Sequence, residues 1–316
     1  MTSASDADRE TAEVRADAAA LRAIAEAQEA VAAGDVLYGT DAVRGLIRQR
    51  APRQDDGVTA DELVHRDVAD GVLTITLDSP RNRNALSAQL RRELQDHLDA
   101  AIGDPAVRVI VLTHSGPVFC SGMDLRESRG AAADTQGVRE FPRILSTIRT
   151  SPTPVVARLA GLARAGGVGL VAACDLVVAA DTATFAFTEV RIGVVPAVIA
   201  VTVLPRLLPR AAHELFLTGE TFDAARAAAI GLINAAVPAD RLDAEVARYV
   251  GLLRLGAPGA LAATKALLQR PLGDDLDSAL AAMQELSARH FASAEGQEGM
   301  AAFAEKRPPA WVRPEM

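Results

Sequence analysis

From about residue 62 onward, apolar and polar positions follow two periods in turn, one typical of strands and one typical of helices. Leu73, Ile75 and Leu77 alternate with the threonines between them, which predicts a half-buried strand. Ser87 then predicts the N-cap of a helix that runs to about Ile102. A strand followed by a capped helix is the first unit of an α/β pattern.

This alternation repeats up to about residue 180. Strands that alternate with helices imply parallel pairing through right-handed crossovers, so the predicted fold class is α/β. After Pro205 the pattern is helical almost to the end of the sequence. Buried strands are predicted at 107–113, 155–159 and 176–179, helices at 138–149 and 166–174, and later breaks at Gly219, Gly231, Pro238, Gly256 and Pro271.

The chain divides into three predicted regions. Residues 1–61 are predicted to be a helical extension and linker, because residues 5–33 are rich in Ala, Glu and Arg and residues 51–61 are polar with Pro and Gly. Residues 62–255 form the α/β core, and residues 256–316 form a C-terminal helical region. The extension has a thin apolar stripe, so docking on a partner helix or a neighbouring subunit is one hypothesis for it.

Composition narrows the class of protein. The formal net charge of -8 offers no basic field for nucleic acid or an anionic membrane. Cys120 and Cys174 lack CxxC spacing and are predicted to be reduced core residues. The first thirty residues are too acidic for a signal or transit peptide, and the longest apolar stretch, at 192–204, is too short to span a bilayer. We therefore expect a soluble cytoplasmic protein.

Two segments carry candidate chemistry. Each follows a predicted buried strand, where open α/β sheets usually bind ligands. The first is residues 119–125 (FCSGMDL), after the strand that ends near Thr113, and the second is residues 161–170 (GLARAGGVGL), after the strand that ends near Leu159.

The glycines of the second segment, at 166, 167 and 169, permit a tight turn and close backbone approach. The helix that they open offers unpaired N–H groups and a positive dipole end, which suits a developing oxyanion. A Gly-rich turn that only packs a helix on the sheet explains the same residues. A phosphate loop is disfavoured, because neither GxGxxG nor GxxxxGK[ST] spacing is present.

Five pieces of sequence, in order and at matching spacing, resemble the crotonase superfamily (enoyl-CoA hydratase/isomerase family) from about Glu62 to Trp311. They are RNALS at 83–87, FCSGMDL at 119–125, AGLARAGGVGL at 160–170, CDL at 174–176 with FAFTEVRIGVVP at 185–196, and FAEKR at 303–307. Each piece alone is a weak signal, whereas all of them in register are a strong one.

The resemblance implies a spiral of ββα units followed by a helical region that serves in trimerisation and covers coenzyme A, usually in homotrimers or dimers of trimers. It implies acyl-CoA thioester substrates, as in fatty acid metabolism, with coenzyme A entering as part of the substrate and with no separate cofactor. The thioester carbonyl of the family accepts two backbone hydrogen bonds. At the matching positions of this chain, the donors are the N–H groups of Met123 and Gly166.

The resemblance also predicts the acid–base chemistry. Family hydratases carry two glutamates; the first belongs where this chain has Gly169, and the second matches Glu189, which leaves one carboxylate to move protons. Without the resemblance, Glu189 would be interpreted as a surface glutamate at a strand end. Hydratase or isomerase chemistry is the first prediction. A β-hydroxyacyl-CoA-type thioester hydrolase and a non-catalytic acyl-CoA-binding paralogue remain alternatives.

Further substrate-binding residues are implied by position. Arg126 matches a phosphate-binding lysine of the family, Arg83 lies in the segment that passes the adenine, and Asp124 is expected to fix the oxyanion loop. Solvated surface arginines explain the two arginines equally well. Phe303 and Lys306 are expected to close over the CoA of the same or a neighbouring subunit. The full predicted set is Arg83, Ala85, Ser121, Asp124, Arg126, Gly167, Gly169, Phe303 and Lys306.

Two further predictions concern the histidines and the residues that line the pocket. The five histidines show no metal-ligand spacing, so no metal is predicted, and His114 is interpreted as a hydrogen-bonded loop residue. Candidate pocket-lining residues, which core packing explains equally well, are Leu125, Phe141, Ile144, Val195 and Val198.

Overall fold

The computed structural model describes residues 62–128, 140–270 and 275–312. The predicted extension and linker at 1–61 and the predicted break at Pro271 lie outside these residues. The boundary predicted between residues 255 and 256 falls between two described helices and stays a prediction. Within the described residues, no helix is both long enough and apolar enough to cross a bilayer.

The described strands form two sheets. The strands are β1 Val64–Ala69, β2 Val72–Leu77, β3 Val109–His114, β4 Val118–Cys120, β5 Val155–Leu159, β6 Leu162–Arg164, β7 Leu176–Ala180, β8 Thr184–Ala186, β9 Phe222–Asp223 and β10 Ala235–Val237. The larger sheet has the order β1-β2-β3-β5-β7-β10, in which only the β1–β2 pair is antiparallel. The smaller sheet has the order β4-β6-β8-β9, in which only the β8–β9 pair is antiparallel.

Helices cover both faces of the larger sheet and form the C-terminal part of the chain. They are α1 Ala88–Ile102, α2 Leu125–Ser128, α3 Phe141–Thr150, α4 Gly166–Ala173, α5 Ala197–Val203, α6 Pro209–Thr218, α7 Ala224–Ala229, α8 Leu242–Leu255, α9 Pro258–Leu268, α10 Leu276–Ala292 and α11 Ala294–Glu305. Short 3₁₀ turns lie at Pro80–Asn82, Thr188–Ile192 and Ala239–Arg241.

The predicted parallel α/β organisation is confirmed, as is the first capped helix. The Ser87 hydroxyl accepts a hydrogen bond from Leu90 N–H at 3.3 Å, as an N-cap does, and α1 ends at Ile102. The half-buried character predicted for β2 is wrong, because Thr74 is buried as well. Helix α8 covers that face: Val72 packs in one apolar cluster with Leu242, Val246 and Val250.

The strands of the smaller sheet were missed by the sequence analysis. Strands β4, β6 and β8 have three residues each, which is too short for a period of two to become visible. Strands β9 and β10 interrupt a region that was predicted to be helical. The smaller sheet matters most here, because the candidate site lies at one of its edges.

Candidate active site

The proposed oxyanion donors and Glu189 follow three neighbouring strands of the smaller sheet. Met123 comes after β4, Gly166 after β6 and Glu189 after β8. Strand β6 pairs in parallel with both β4 and β8. Because the carboxyl ends of parallel neighbours meet at one edge of a sheet, the three segments converge at that edge.

This arrangement corrects one part of the sequence analysis. The two Gly-bearing segments were assigned to the ends of strands near Thr113 and Leu159, which belong to β3 and β5 of the larger sheet. Early residues of the two segments instead belong to β4 and β6 of the smaller sheet. The intervening short strands turn the chain from one sheet into the other and so carry both segments away from the larger sheet.

The loop before Met123 and the start of α4 are in direct contact. Gly122 has a φ of +93°, and a β-carbon at this position would lie 3.3 Å from the Gly166 nitrogen and 2.9 Å from the Ala165 β-carbon. Leu86 N–H donates to the Gly122 carbonyl at 2.8 Å and holds the loop from its other side. Glycine at 122 is therefore required both by the backbone conformation and by this close approach.

Neither proposed donor is used by the surrounding backbone. Among the hydrogen bonds of the described residues, none runs from Met123 N–H or from Gly166 N–H to a backbone carbonyl. Gly166 is the first residue of α4, where an N–H group has no partner within its own helix. Each amide can therefore donate to an added acceptor.

Glu189 is a buried carboxylate rather than a surface residue. It is 9% exposed within the 3₁₀ turn that follows β8. Its Oε2 atom is enclosed and has no hydrogen-bond partner within the described part of the chain. Burial raises the pKa of this carboxyl, and a hydrogen bond from its own backbone N–H opposes that effect. Such a group can hold a proton at a higher pH than an ordinary glutamate.

Asp124 is engaged by the loop around it. Its carboxylate accepts hydrogen bonds from Asn82 Nδ2 at 2.7 Å and from Arg126 N–H at 2.9 Å. Burial acts to raise the pKa of Asp124, but these hydrogen bonds together outweigh it and leave the pKa lowered. The contacts connect the turn at residues 80–82 to the start of α2.

The other predicted residues divide into two groups. The first group lies beside the loop of Met123 and consists of Arg83, Ala85, Ser121 and Gly167. Ser121 N–H donates to the Arg83 carbonyl at 3.1 Å. Gly167 lies against the Cys120 main chain. Arg83 and Arg126 are exposed. Phe303 is 88% exposed on α11, and Lys306 ends that helix, so no described contact brings either residue to the site of its own chain.

The predicted lining residues are similarly divided. Phe141 lies beside the start of α4, where a β-carbon on Gly166 would be 3.5 Å from its Cε1 atom, and Ile144 is buried in the core. Leu125 and Val195 are exposed, and Val198 is partly buried. Leu86 was not predicted to line the site, although its Cδ1 atom would be 3.0 Å from a β-carbon on Gly166.

Ile199 was also missed, although it lies directly over Gly169. A β-carbon on Gly169 would be 2.5 Å from the Ile199 Cγ2 atom. The only sequence signal was an apolar run at 192–204, which does not indicate which of its members faces α4. Among the described residues, no group of His, Cys, Asp and Glu side chains could hold a metal ion.

Comparison with known proteins agrees with this architecture. The family model described as Enoyl-CoA hydratase/isomerase matches residues 67–314. The Rattus norvegicus protein "Enoyl-CoA hydratase domain-containing protein 3, mitochondrial" is 35% identical over 246 residues, which cover 77% of this chain and 82% of the rat protein.

Solved structures give the same result. The enoyl-CoA hydratase of Mycobacterium smegmatis has a TM-score of 0.75 at 34% identity and covers 80% of this chain and 100% of its own. That of Mycobacterium avium has a TM-score of 0.61 at 45% identity and covers 79% of this chain and 99% of its own. The architecture is therefore a crotonase fold. The chain belongs to the enoyl-CoA hydratase/isomerase family of the crotonase superfamily.

Proposed function

We propose that this chain is an acyl-CoA enzyme that stabilises a thioester enolate with the N–H groups of Met123 and Gly166 and moves a proton with Glu189. The observation that carries the proposal is the Glu189 carboxylate. It is buried, and its Oε2 atom has no partner within the described residues. It follows β8, which pairs with β6, the strand that leads to Gly166, and β6 in turn pairs with β4, the strand that leads to Met123. Membership of the hydratase/isomerase family supports an acyl-CoA substrate.

The two amides would supply most of the rate enhancement. Removing one preorganised oxyanion donor in other enzymes costs about 2.7–4 kcal/mol of transition-state stabilisation. Both donors belong to the main chain, so the side chain at position 123 contributes little to this effect. Glu189 would add proton transfer, which is typically worth about 10²–10⁴-fold in rate.

Proton transfer between carbon atoms is the reaction that this site favours. One carboxylate can remove a proton from C2 of the acyl chain and return it to C4. Family hydratases use two glutamates, and the one that belongs at the position of Gly169 is absent from this chain. We therefore place isomerisation of an enoyl-CoA before hydration. Thioester hydrolysis is the second candidate, because hydrolases for β-hydroxyacyl-CoA resemble this chain in having Gly-Gly-Val-Gly-Leu with a later glutamate.

Coenzyme A would be held by groups at the rim of the site. We assign its phosphates to Arg126 and its adenine to the segment of Arg83, both of which are exposed and close in the fold to the loop of Met123. Phe303 and Lys306 are proposed to cover the CoA of a neighbouring subunit, in a homotrimer or a dimer of trimers. No separate cofactor is required by this chemistry.

A panel of 2-enoyl-, 3-enoyl-, β-hydroxyacyl- and malonyl-type CoA thioesters tests the proposal. Release of CoA thiol reports hydrolysis, and a mass gain of one water reports hydration. Because an isomer has the mass of its substrate, isomerisation is followed by the absorbance of the conjugated 2-enoyl thioester that it forms. The protein's own thiols do not interfere, because burial raises the pKa of both Cys120 and Cys174 to about 12. Isomerisation of a 3-enoyl-CoA is the expected result.

Replacing Glu189 by Gln tests the assigned base. We expect kcat/KM of Glu189→Gln to fall by about 10²–10⁴-fold. In the native enzyme, kcat/KM should decrease as the pH falls through the raised pKa of Glu189, since only the carboxylate can accept a proton. Glu285→Gln, at an exposed carboxylate on α10, is the matched control. Unchanged turnover of every thioester in Glu189→Gln would support a non-catalytic acyl-CoA-binding protein instead.

A further inference from the structure

Ile199 closes the space above Gly169. The isoleucine is 3% exposed on α5, and its Cβ and Cγ2 atoms would lie 3.1 and 2.5 Å from a β-carbon on Gly169. Contacts below about 3.0 Å are not observed for real β-carbons, so any side chain at 169 would have to displace Ile199. Glycine at 169 is thus a packing requirement of α5 against α4.

The two helices are also joined by a hydrogen bond at this point. The buried Thr202 hydroxyl donates at 3.2 Å to the carbonyl of Gly169 and lies 3.1 Å from the carbonyl of Ile199. The Thr202 hydroxyl therefore links Gly169 on α4 to Ile199 on α5. The position of Ile199 over α4 is consequently set by the main chain rather than by a loose side-chain contact.

Gly169 lies one helical turn from the proposed donor Gly166 on α4, and residues three positions apart share a helix face. It is also the position at which family hydratases carry their first glutamate. Ile199 thus fills the space that a side chain at this position would need.

We propose that Ile199 is a specificity-determining residue that keeps this side of the site dry, so that the enzyme shifts a proton along the acyl chain of a 3-enoyl-CoA instead of adding water. The inference rests on the proposed function and names its substrate class. It goes further by assigning the choice between hydration and isomerisation to packing at Ile199.

The reaction balances without a further reactant. The Glu189 carboxylate takes a proton from C2, and the C2–H electron pair forms a dienolate whose negative oxygen accepts the hydrogen bonds of Met123 and Gly166. The dienolate then takes the proton from Glu189 at C4, and the double bond moves from C3–C4 to C2–C3. No water, oxidant or reductant is consumed.

A dry site has a measurable consequence for the transferred proton. Glu189 is nearly enclosed and Ile199 fills the space above Gly169, so we expect the carboxyl proton to exchange slowly with solvent while the dienolate is bound. The proton removed from C2 should therefore be the one delivered to C4. In D₂O, the native enzyme is expected to incorporate deuterium in fewer than about half of its turnovers.

The test is isomerisation of a 3-enoyl-CoA in D₂O, with the product analysed by mass spectrometry at low conversion. Ile199→Ala opens the space and is expected to raise the deuterium incorporated per turnover at least about twofold. Ile199→Leu, which removes the γ2 methyl branch that closes the space but keeps the side-chain volume, serves if the alanine variant fails to fold. Val201→Ala is the matched control, because this valine is 71% exposed on the same helix and should leave the incorporation unchanged.

A gain-of-function pair completes the test. Gly169→Glu alone should show no hydration, because Ile199 occupies the required space, whereas Gly169→Glu with Ile199→Ala should hydrate a 2-enoyl-CoA measurably. Native turnover with one deuterium in every product, unchanged in Ile199→Ala, overturns the role of Ile199 while leaving the proposed function intact. Absence of isomerisation with every 3-enoyl-CoA contradicts the proposed function itself, and this inference with it.

Discussion

At the scale of single residues, His114 connects the bases of both site loops. Its Nε2 atom accepts a hydrogen bond from Ala160 N–H at 3.0 Å, and its Nδ1 atom lies 3.4 Å from the Ser115 carbonyl. The ring edge packs on Phe119 with 5.6 Å between centroids. The imidazole thus joins the end of β3 to β4 and to the turn before β6. His114 is hydrogen-bonded as predicted, but it is the last residue of β3 rather than a loop residue.

This position makes the fold sensitive to acid. Burial lowers the pKa of His114 from 6.5 to about 4, because the charged ring loses its hydration, although its backbone hydrogen bond to Ser115 acts in the opposite direction. The contribution of His114 to stability is therefore complete above about pH 6.5 and is lost as the pH falls towards 4. At about 1.4 kcal/mol per pKa unit, the loss amounts to about 3 kcal/mol.

We expect the free energy of unfolding of His114→Gln to fall less steeply than that of the native protein over this pH window. Urea titrations at several pH values between 7 and 4 measure the difference. His213→Gln, at an exposed histidine on α6, controls for loss of a titratable ring. Parallel pH profiles for the native protein and His114→Gln would show that this histidine is not the acid-sensitive group.

The site residues differ in how far the sequence could predict them. Glu189, Met123 and Gly166 were predicted from motifs, because the family chemistry places them at fixed spacing in the chain. Their roles stay predictions until they are tested. Ile199 could not be predicted, since its contact with Gly169 joins positions thirty residues apart through the packing of two helices. A period in sequence indicates that a residue is buried but not what it touches.

At the scale of secondary-structure elements, a buried ion pair fixes α9 to the core. Lys265 Nζ lies 2.7 Å from the Asp175 carboxylate and also donates at 2.9 Å to the Ile148 carbonyl. Burial lowers the pKa of Lys265 and raises that of Asp175, although each partner favours the charged form of the other. Desolvation therefore opposes the pair, and only its complete set of hydrogen bonds makes it tolerable.

We expect Lys265→Met to destabilise the protein by about 1–3 kcal/mol, because it takes the paired cation from a carboxylate that is only partly exposed, although Arg206 still attracts that carboxylate. Adding Asp175→Asn should recover part of that loss. A double-mutant cycle on the free energy of unfolding measures the coupling between the two residues. Arg270→Met, at an exposed cation just beyond α9, is the control. Purely additive losses would contradict a direct pairing.

Whether a helix or strand could be predicted depended on its length and on the pattern of its apolar residues. Helix α1 was predicted with its cap, and β5 with both ends, because a long amphipathic period and a mostly apolar run after Pro154 are strong local signals. Strands β4, β6 and β8 were missed because three-residue strands are defined by their neighbours rather than by their own sequence. The tertiary contacts of the smaller sheet had to be known before its strands could be assigned.

At the scale of the whole molecule, the C-terminal helices leave an apolar surface uncovered. Helix α10 has no buried residue in the single chain. Leu276, Leu280 and Phe291 are all more than half exposed, and their spacings of four and eleven residues place them on one face of this helix. Exposed apolar faces of this kind usually mark contacts between protein chains.

The prediction is that α10 packs against another copy of the chain, in the trimer or dimer of trimers proposed above. Leu280→Glu with Phe291→Glu would place two carboxylates in that contact and should shift the sedimenting mass towards the monomer. Ser278→Glu with Arg289→Gln makes the same change of two charges at exposed positions on the opposite face of α10 and should leave the mass unchanged. If Phe303 and Lys306 cover the CoA of a neighbouring subunit, dissociation should also raise KM for the thioester more than it lowers kcat, because the proposed oxyanion donors and Glu189 all belong to one chain. A native protein that sediments as a monomer would contradict both expectations.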